Sequence, residues 1–65
     1  MYWYDIDEIA EKLEENYQDE ELSDLKLTHL EELVMSLNEF DDHEVPTTKT
    51  NLEEIREAWQ GLRSS

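Results

Sequence analysis

Nineteen of the 65 residues are Asp or Glu, and these carboxylates are the side chains with most scope for chemistry. They gather in three places. Asp19, Glu20, Glu21 and Asp24 form one group. Asp41, Asp42 and Glu44 flank His43 in a second. Asp5, Asp7, Glu8 and Glu11 form a third. Carboxylate oxygens suit hard cations, and a nearby imidazole suits iron or zinc. The plainer reading of each group is solvated surface, or acids serving the dipole of a helix start. Neither acidic run has the Gly and terminal Glu of an EF-hand, and no zinc signature pairs His29 with His43. No catalytic residue is identified, because the few Ser residues have no evident base and orienting partner. The chain has no Cys, so it cannot carry a persulfide or hold a cluster through thiolates.

Only 5 basic residues oppose the acids, which leaves a net charge of −14. So much like charge in a small volume weakens the compact state. It also repels DNA, RNA and anionic lipid, all of which carry phosphate. A basic protein surface or a metal cation is the favoured partner. No stretch approaches the ~18 apolar residues of a membrane span. Met1 to Asp5 lacks the basic start and apolar run of a signal peptide, so a cytoplasmic location is expected.

A highly charged chain with 37% hydrophobic residues could be disordered. The patterning of those residues argues for a fold instead. Ile6, Ile9, Ala10, Leu13 and Tyr17 fall at helical spacing and predict a helix over 6–17. Asp5 is placed to cap it, with Glu8 three residues on, and Trp3 and Tyr4 are placed to staple onto it. Leu30, Leu33, Val34 and Leu37 predict a second helix over 29–38, with Thr28 and Glu31 at capping-box spacing and Met35 off the stripe. Leu52, Ile55, Trp59 and Leu62 predict a third over 51–62. Thr47, Thr48, Thr50 and Asn51 are all candidate caps for its start. Gly61 weakens its last turn, and Arg63 to Ser65 should fray. Leu25 to Leu27 alternates like a very short strand, and Phe40 to Thr48 reads as an anchored loop. Trp3 and Trp59 are assigned to the core. The expectation is a mostly α, three-helix single domain over 1–65. Such a chain buries about 60% of its unfolded surface and is stable by roughly 3–5 kcal/mol.

At this point the residues resemble a known family. Trp3-Tyr4-Asp5, followed by Ile9-Ala10, Leu13 and Tyr17, is similar to the opening of the IscX (YfhJ) family of iron–sulfur cluster assembly proteins. That opening is Trp-x-Asp and then a helix ending in Tyr-Pro-Asp. Gln18 stands in place of the Pro, and Asp19 keeps the Asp. Leu27-Thr28 resembles the family's Phe-Thr. Glu39-Phe40-Asp41-Asp42 resembles the start of its Phe-Asp-Asp-Asp-Pro signature, from which His43 and Glu44 depart. Leu52, Ile55 and Ala58-Trp59 resemble the closing Leu-Glu-x-Ile-x-x-Ala-Trp.

The resemblance implies a winged-helix-like fold used without nucleic acid, and a regulator or iron-supplying adaptor in place of an enzyme. It implies docking on the cysteine desulfurase IscS, close to where the bacterial frataxin homologue binds, and weak, transient iron binding. By matched position, Asp19, Glu21, Asp41 and Asp42 take the iron-binding role. The docking surface then comprises Asp5, Glu8, Glu11, Asp19, Glu20, Glu21, Asp41, Asp42 and Glu44, on a chain expected to be a monomer. An iron carrier, or an acidic module that masks a basic protein as a nucleic-acid mimic, are the rival readings.

Overall fold

The three apolar stripes become three helices. In a computed structural model, which describes residues 1–64, these are α1 (Ile6–Asn16), α2 (Leu27–Met35) and α3 (Lys49–Ser64). Ser65 lies outside the described residues. No strand is present among those described, so Leu25 to Leu27 is not one, and the described residues form a three-helix, mostly α domain without the β wing of a winged helix. Leu25 is instead buried, and Leu27 opens α2.

α1 and α3 form the main interface, and α2 lies across both. Ile9, Leu13, Leu30, Val34, Ile55 and Trp59 are fully buried, and Leu33 is half-buried against them. Loop residues add to this core. Leu22 and Leu25 come from the segment between α1 and α2, Phe40 from the segment after α2, and Trp3 from before α1. Trp3 and Phe40 meet edge to face with ring centroids 4.6 Å apart, a favoured aromatic geometry. Met35, off the stripe, is half-buried against the core, whereas Leu62, on the stripe, is 40% exposed near the chain end.

The helix ends differ from their sequence signals in instructive ways. Asp5 occupies the N-cap of α1 but makes no side-chain cap bond. Its Oδ2 accepts from the Tyr2 N–H at 2.8 Å, and its own N–H donates to the Tyr2 carbonyl at 3.0 Å. Asp5 thus closes a turn that buries Trp3 and leaves Tyr4 86% exposed, so Tyr4 does not staple onto α1. α2 starts two residues before the predicted His29, behind an extended Lys26, so Thr28 lies inside the helix and caps nothing. It also ends early. The Ser36 hydroxyl donates back to the Glu32 carbonyl at 2.9 Å, and turns at Leu37 and Phe40 take over. For α3, Thr48 supplies the cap: its Oγ1 accepts from the Asn51 N–H at 3.1 Å. Asn51, a candidate cap, is buried, and its Nδ2 donates to the Trp3 carbonyl at 3.0 Å. Arg63 does not fray: it lies within α3, and its guanidinium is held by Glu14 and by the Tyr17 and Glu20 carbonyls.

Trp59 closes the α1–α3 interface, and its Nε1–H donates to Glu14 Oε1 at 2.9 Å. Trp59→Ala therefore loses both core packing and a charge-assisted hydrogen bond. It is expected to cost about 3–5 kcal/mol, enough to exhaust the stability of so small a domain. Urea titration followed by far-UV circular dichroism measures this, and a wild-type transition would refute the packing. By contrast, the Thr47 Oγ1 is buried without a hydrogen-bond partner. An unmet hydroxyl of this kind costs about 1–3 kcal/mol. Thr47→Val should leave the melting midpoint unchanged or raise it.

Candidate functional site

The three carboxylate groups fall into two regions at opposite ends of α1, while further acids lie along α2 and α3. The first follows its C-terminus. Asp19 and Glu21 are exposed there, and Glu20, Glu21, Asp24, Lys26 and His29 line a shallow surface pocket. Glu20 Oε1 lies 3.2 Å from His29 Nε2, which ties the loop to the first turn of α2.

This loop is held in place by Arg63. The guanidinium donates to Glu14 Oε1 from Nε at 3.1 Å and from Nη2 at 2.9 Å, to the Tyr17 carbonyl at 3.0 Å, and to the Glu20 carbonyl. It also sits over the Trp59 ring, 5.6 Å from the centroid. The planar fork matches several acceptors at once, which Lys could not do. The bond from Trp59 and those from Arg63 hold the Glu14 carboxyl below the ordinary range for Glu. Sequence reasoning missed this clamp because Arg63 lies at the frayed end of the α3 pattern. Its helical spacing of four from Trp59 was the available signal.

The second region surrounds the N-terminus. The loop after α2 docks onto the residues before α1. The Trp3 N–H donates to Asp42 Oδ2 at 3.1 Å, and the Trp3 Nε1–H donates to the Val45 carbonyl at 2.7 Å. The Met1 ammonium donates to Asp41 Oδ2 at 2.6 Å and to the Glu39 carbonyl at 3.0 Å. The Asp41 N–H returns a bond to the Met1 carbonyl at 2.8 Å. The hydrogen bond to Asp41 raises the amine above its ordinary range. Asp5 adjoins this region, and Glu8, Glu11 and Glu44 are exposed.

The four residues assigned to iron are therefore split. Asp19 and Glu21 lie beyond one end of α1, and Asp41 and Asp42 lie beside the other. The helix between them rises about 16 Å. Among the described residues, no three His, Cys, Asp or Glu side chains converge as a metal would need. Asp41 and Asp42 each also accept a hydrogen bond within the fold. Asp19 and Glu21 could therefore meet a cation only separately from Asp41 and Asp42. What the arrangement can do is present separate patches of negative charge on a fixed frame.

The Glu14 contacts predict a pH dependence. A carboxyl whose folded pKa is lowered adds stability that is fully present above its unfolded value and lost as pH falls through the folded one. The midpoint difference between wild type and Glu14→Gln should be constant above about pH 4.5, the ordinary Glu value. It should shrink towards zero below that. Thermal melts from pH 7 to 3 check this, and a gap that widens on acidification would overturn it.

Comparison with known proteins agrees with this frame. The family model described as iron–sulphur cluster assembly matches residues 1–63. No curated protein and no solved structure matches the chain. The matched span takes in α1, α2, both acidic loops and α3 up to Arg63. It runs from the buried Trp3 to the Trp59 and Arg63 that close the other end. The chain belongs to the iron–sulphur cluster assembly family, the family to which IscX (YfhJ) belongs.

Proposed function

We propose that this chain is an adaptor of iron–sulphur cluster assembly that docks its acidic surface onto a basic cysteine desulfurase, without being an enzyme itself. The observation that carries the reading is the net charge of −14, borne by carboxylates that are mostly exposed on a defined frame. Lys12 bridges Glu15 and Glu39 at 3.9 Å each, Arg63 takes Glu14 and the Met1 ammonium takes Asp41, while among the described residues most acids show no ion pair of this kind. A field of this sign steers a basic surface into encounter and raises the association rate. Without a thiol, non-covalent docking is the remaining route into sulfur transfer.

The family supports partners within the assembly machinery. The desulfurase, competition with a frataxin homologue on it, a monomeric state and a cytoplasmic location are the finer points of the proposal. Among the described residues no helix is long and apolar enough to cross a membrane. Iron would gather as a weakly held counter-ion near these carboxylates, so docking should not require it.

Biolayer interferometry against the partner desulfurase at low and high salt tests the proposal. Affinity should drop at high salt, chiefly through a slower on-rate. The pair Asp19→Asn with Glu21→Gln should weaken binding about fivefold. Exposed charges add little to stability, so the melting midpoint should hardly move. A chelator should change nothing. An affinity indifferent to salt and to the double neutralisation would falsify the acidic mechanism, and absence of binding would remove the adaptor reading.

A further inference from the structure

Among the described residues the exposed large apolar side chains include Tyr2 at 55%, Tyr4 at 86% and Val45 at 49%. Isolated exposed apolar groups are ordinary. Tyr4 and Val45 are not isolated. The turn closed by Asp5 places the tyrosines on either side of Trp3, and the bond from Trp3 Nε1 to the Val45 carbonyl brings the second loop beside them. Tyr4, Val45 and Pro46 rim a small cleft of about 30 Å³ together with Trp3, Thr47, Thr48 and Asn51, too small to take a side chain, so the apolar surface they offer is the outer face of Tyr4, Val45 and Pro46.

This surface is held without help from a ligand. Trp3 is fixed through its N–H to Asp42, its indole to Val45 and its carbonyl to Asn51. Little ordering is left to be done on binding, which is what pre-organisation means energetically. The charge around it is predominantly negative: the Met1 ammonium is taken up by Asp41, and the nearest Lys in sequence is Lys49, after the Thr48 that lines the cleft. Residues 1–11 and 38–48 hold no Lys or Arg, while Asp5, Asp7, Glu8, Asp41 and Glu44 are exposed there. An exposed Tyr ringed by charges has the composition of an interface hot spot. Its ring face also attracts guanidinium and ammonium groups.

We infer that Tyr4, with Val45 and Pro46, is the apolar anchor of the docking surface, and that its occupant is a segment of the basic partner presenting Arg or Lys beside an apolar side chain. The inference rests on the adaptor reading and divides its kinetics. The carboxylates govern encounter and respond to salt. The anchor governs residence and does not. Nothing in the packing requires Tyr4, so its replacement leaves the fold intact.

Tyr4→Ala should raise the dissociation rate from the desulfurase about tenfold at low and at high salt, with the association rate unchanged. Tyr4→Phe should restore most of the residence time, and Val45→Ser should shorten it. Equal dissociation rates for Tyr4→Ala and wild type would overturn the inference. So would an effect confined to the association rate. A second arm uses two synthetic decapeptides that alternate Arg with Leu or Arg with Gly, followed by NMR titration. The Leu peptide should bind more tightly than the Gly peptide, and only its advantage should vanish in Tyr4→Ala. An advantage that survives in Tyr4→Ala would overturn the anchor. If wild type binds no desulfurase, the adaptor reading fails and the peptide arm alone judges the anchor. Sedimentation of wild type as a dimer that Tyr4→Ala abolishes would reassign this surface to a second copy of the chain and overturn the proposed occupant.

Discussion

Carboxylates outnumber cations almost fourfold in this chain, and that shortage constrains everything else in the fold. Two like charges 10 Å apart in water repel by only about 0.4 kcal/mol. Many such pairs act at once on a domain with little stability in reserve. With few Lys and Arg to compensate, several carboxylates turn to neutral N–H donors. Asp5 takes the Tyr2 amide, Asp42 the Trp3 amide and Glu14 the Trp59 indole. Hydrogen bonds to an ionised acceptor are stronger than neutral ones. The two tryptophans are thus more than core filler. Each buries an apolar ring and offers an N–H to an acid from the same residue.

The same economy shapes the surface. Acids that serve the fold are drawn towards Trp3 and Trp59. Acids without such a duty stay in water, where a partner can meet them. Loops therefore carry much of the exposed charge while buried side chains fix the loops. Leu22 and Leu25 hold the first acidic loop from below, and Arg63 holds it from the side. Phe40 and Trp3 hold the second. A surface that would otherwise be a diffuse cloud of charge gains a fixed outline.

Much of this frame was legible in the sequence, and the failures have physical causes. Ile9, Leu13, Leu30, Ile55 and Trp59 showed their burial through helical spacing alone. The ends of α2 were misread because local cap signals at Thr28 lost to tertiary packing: Leu27 is drawn onto the core and so the helix begins with it. The apparent strand at Leu25 to Leu27 failed because an alternating pair of leucines fits a helix entry equally well. Charge density was plain from composition, yet the division of labour among the acids was not. Which carboxylate meets an indole depends on contacts between residues as far apart as Glu14 and Trp59. The exposed face of Tyr4 was hidden for a similar reason, since beside Trp3 it read as a staple onto α1.

The pairing of α1 with α3 has a consequence for how the chain comes together. Residues 17–48 separate these two helices, so their interface forms only after a long loop closes. That closure costs about 3 kcal/mol in chain entropy before any contact repays it. Helical proteins that fold fastest rely on neighbours in sequence. Here α2 packs on both α3 and α1, but less extensively than those two pack on each other. Neither half of the molecule has a core of its own. Folding should therefore be all-or-none, with the two ends of the chain entering the same cooperative unit.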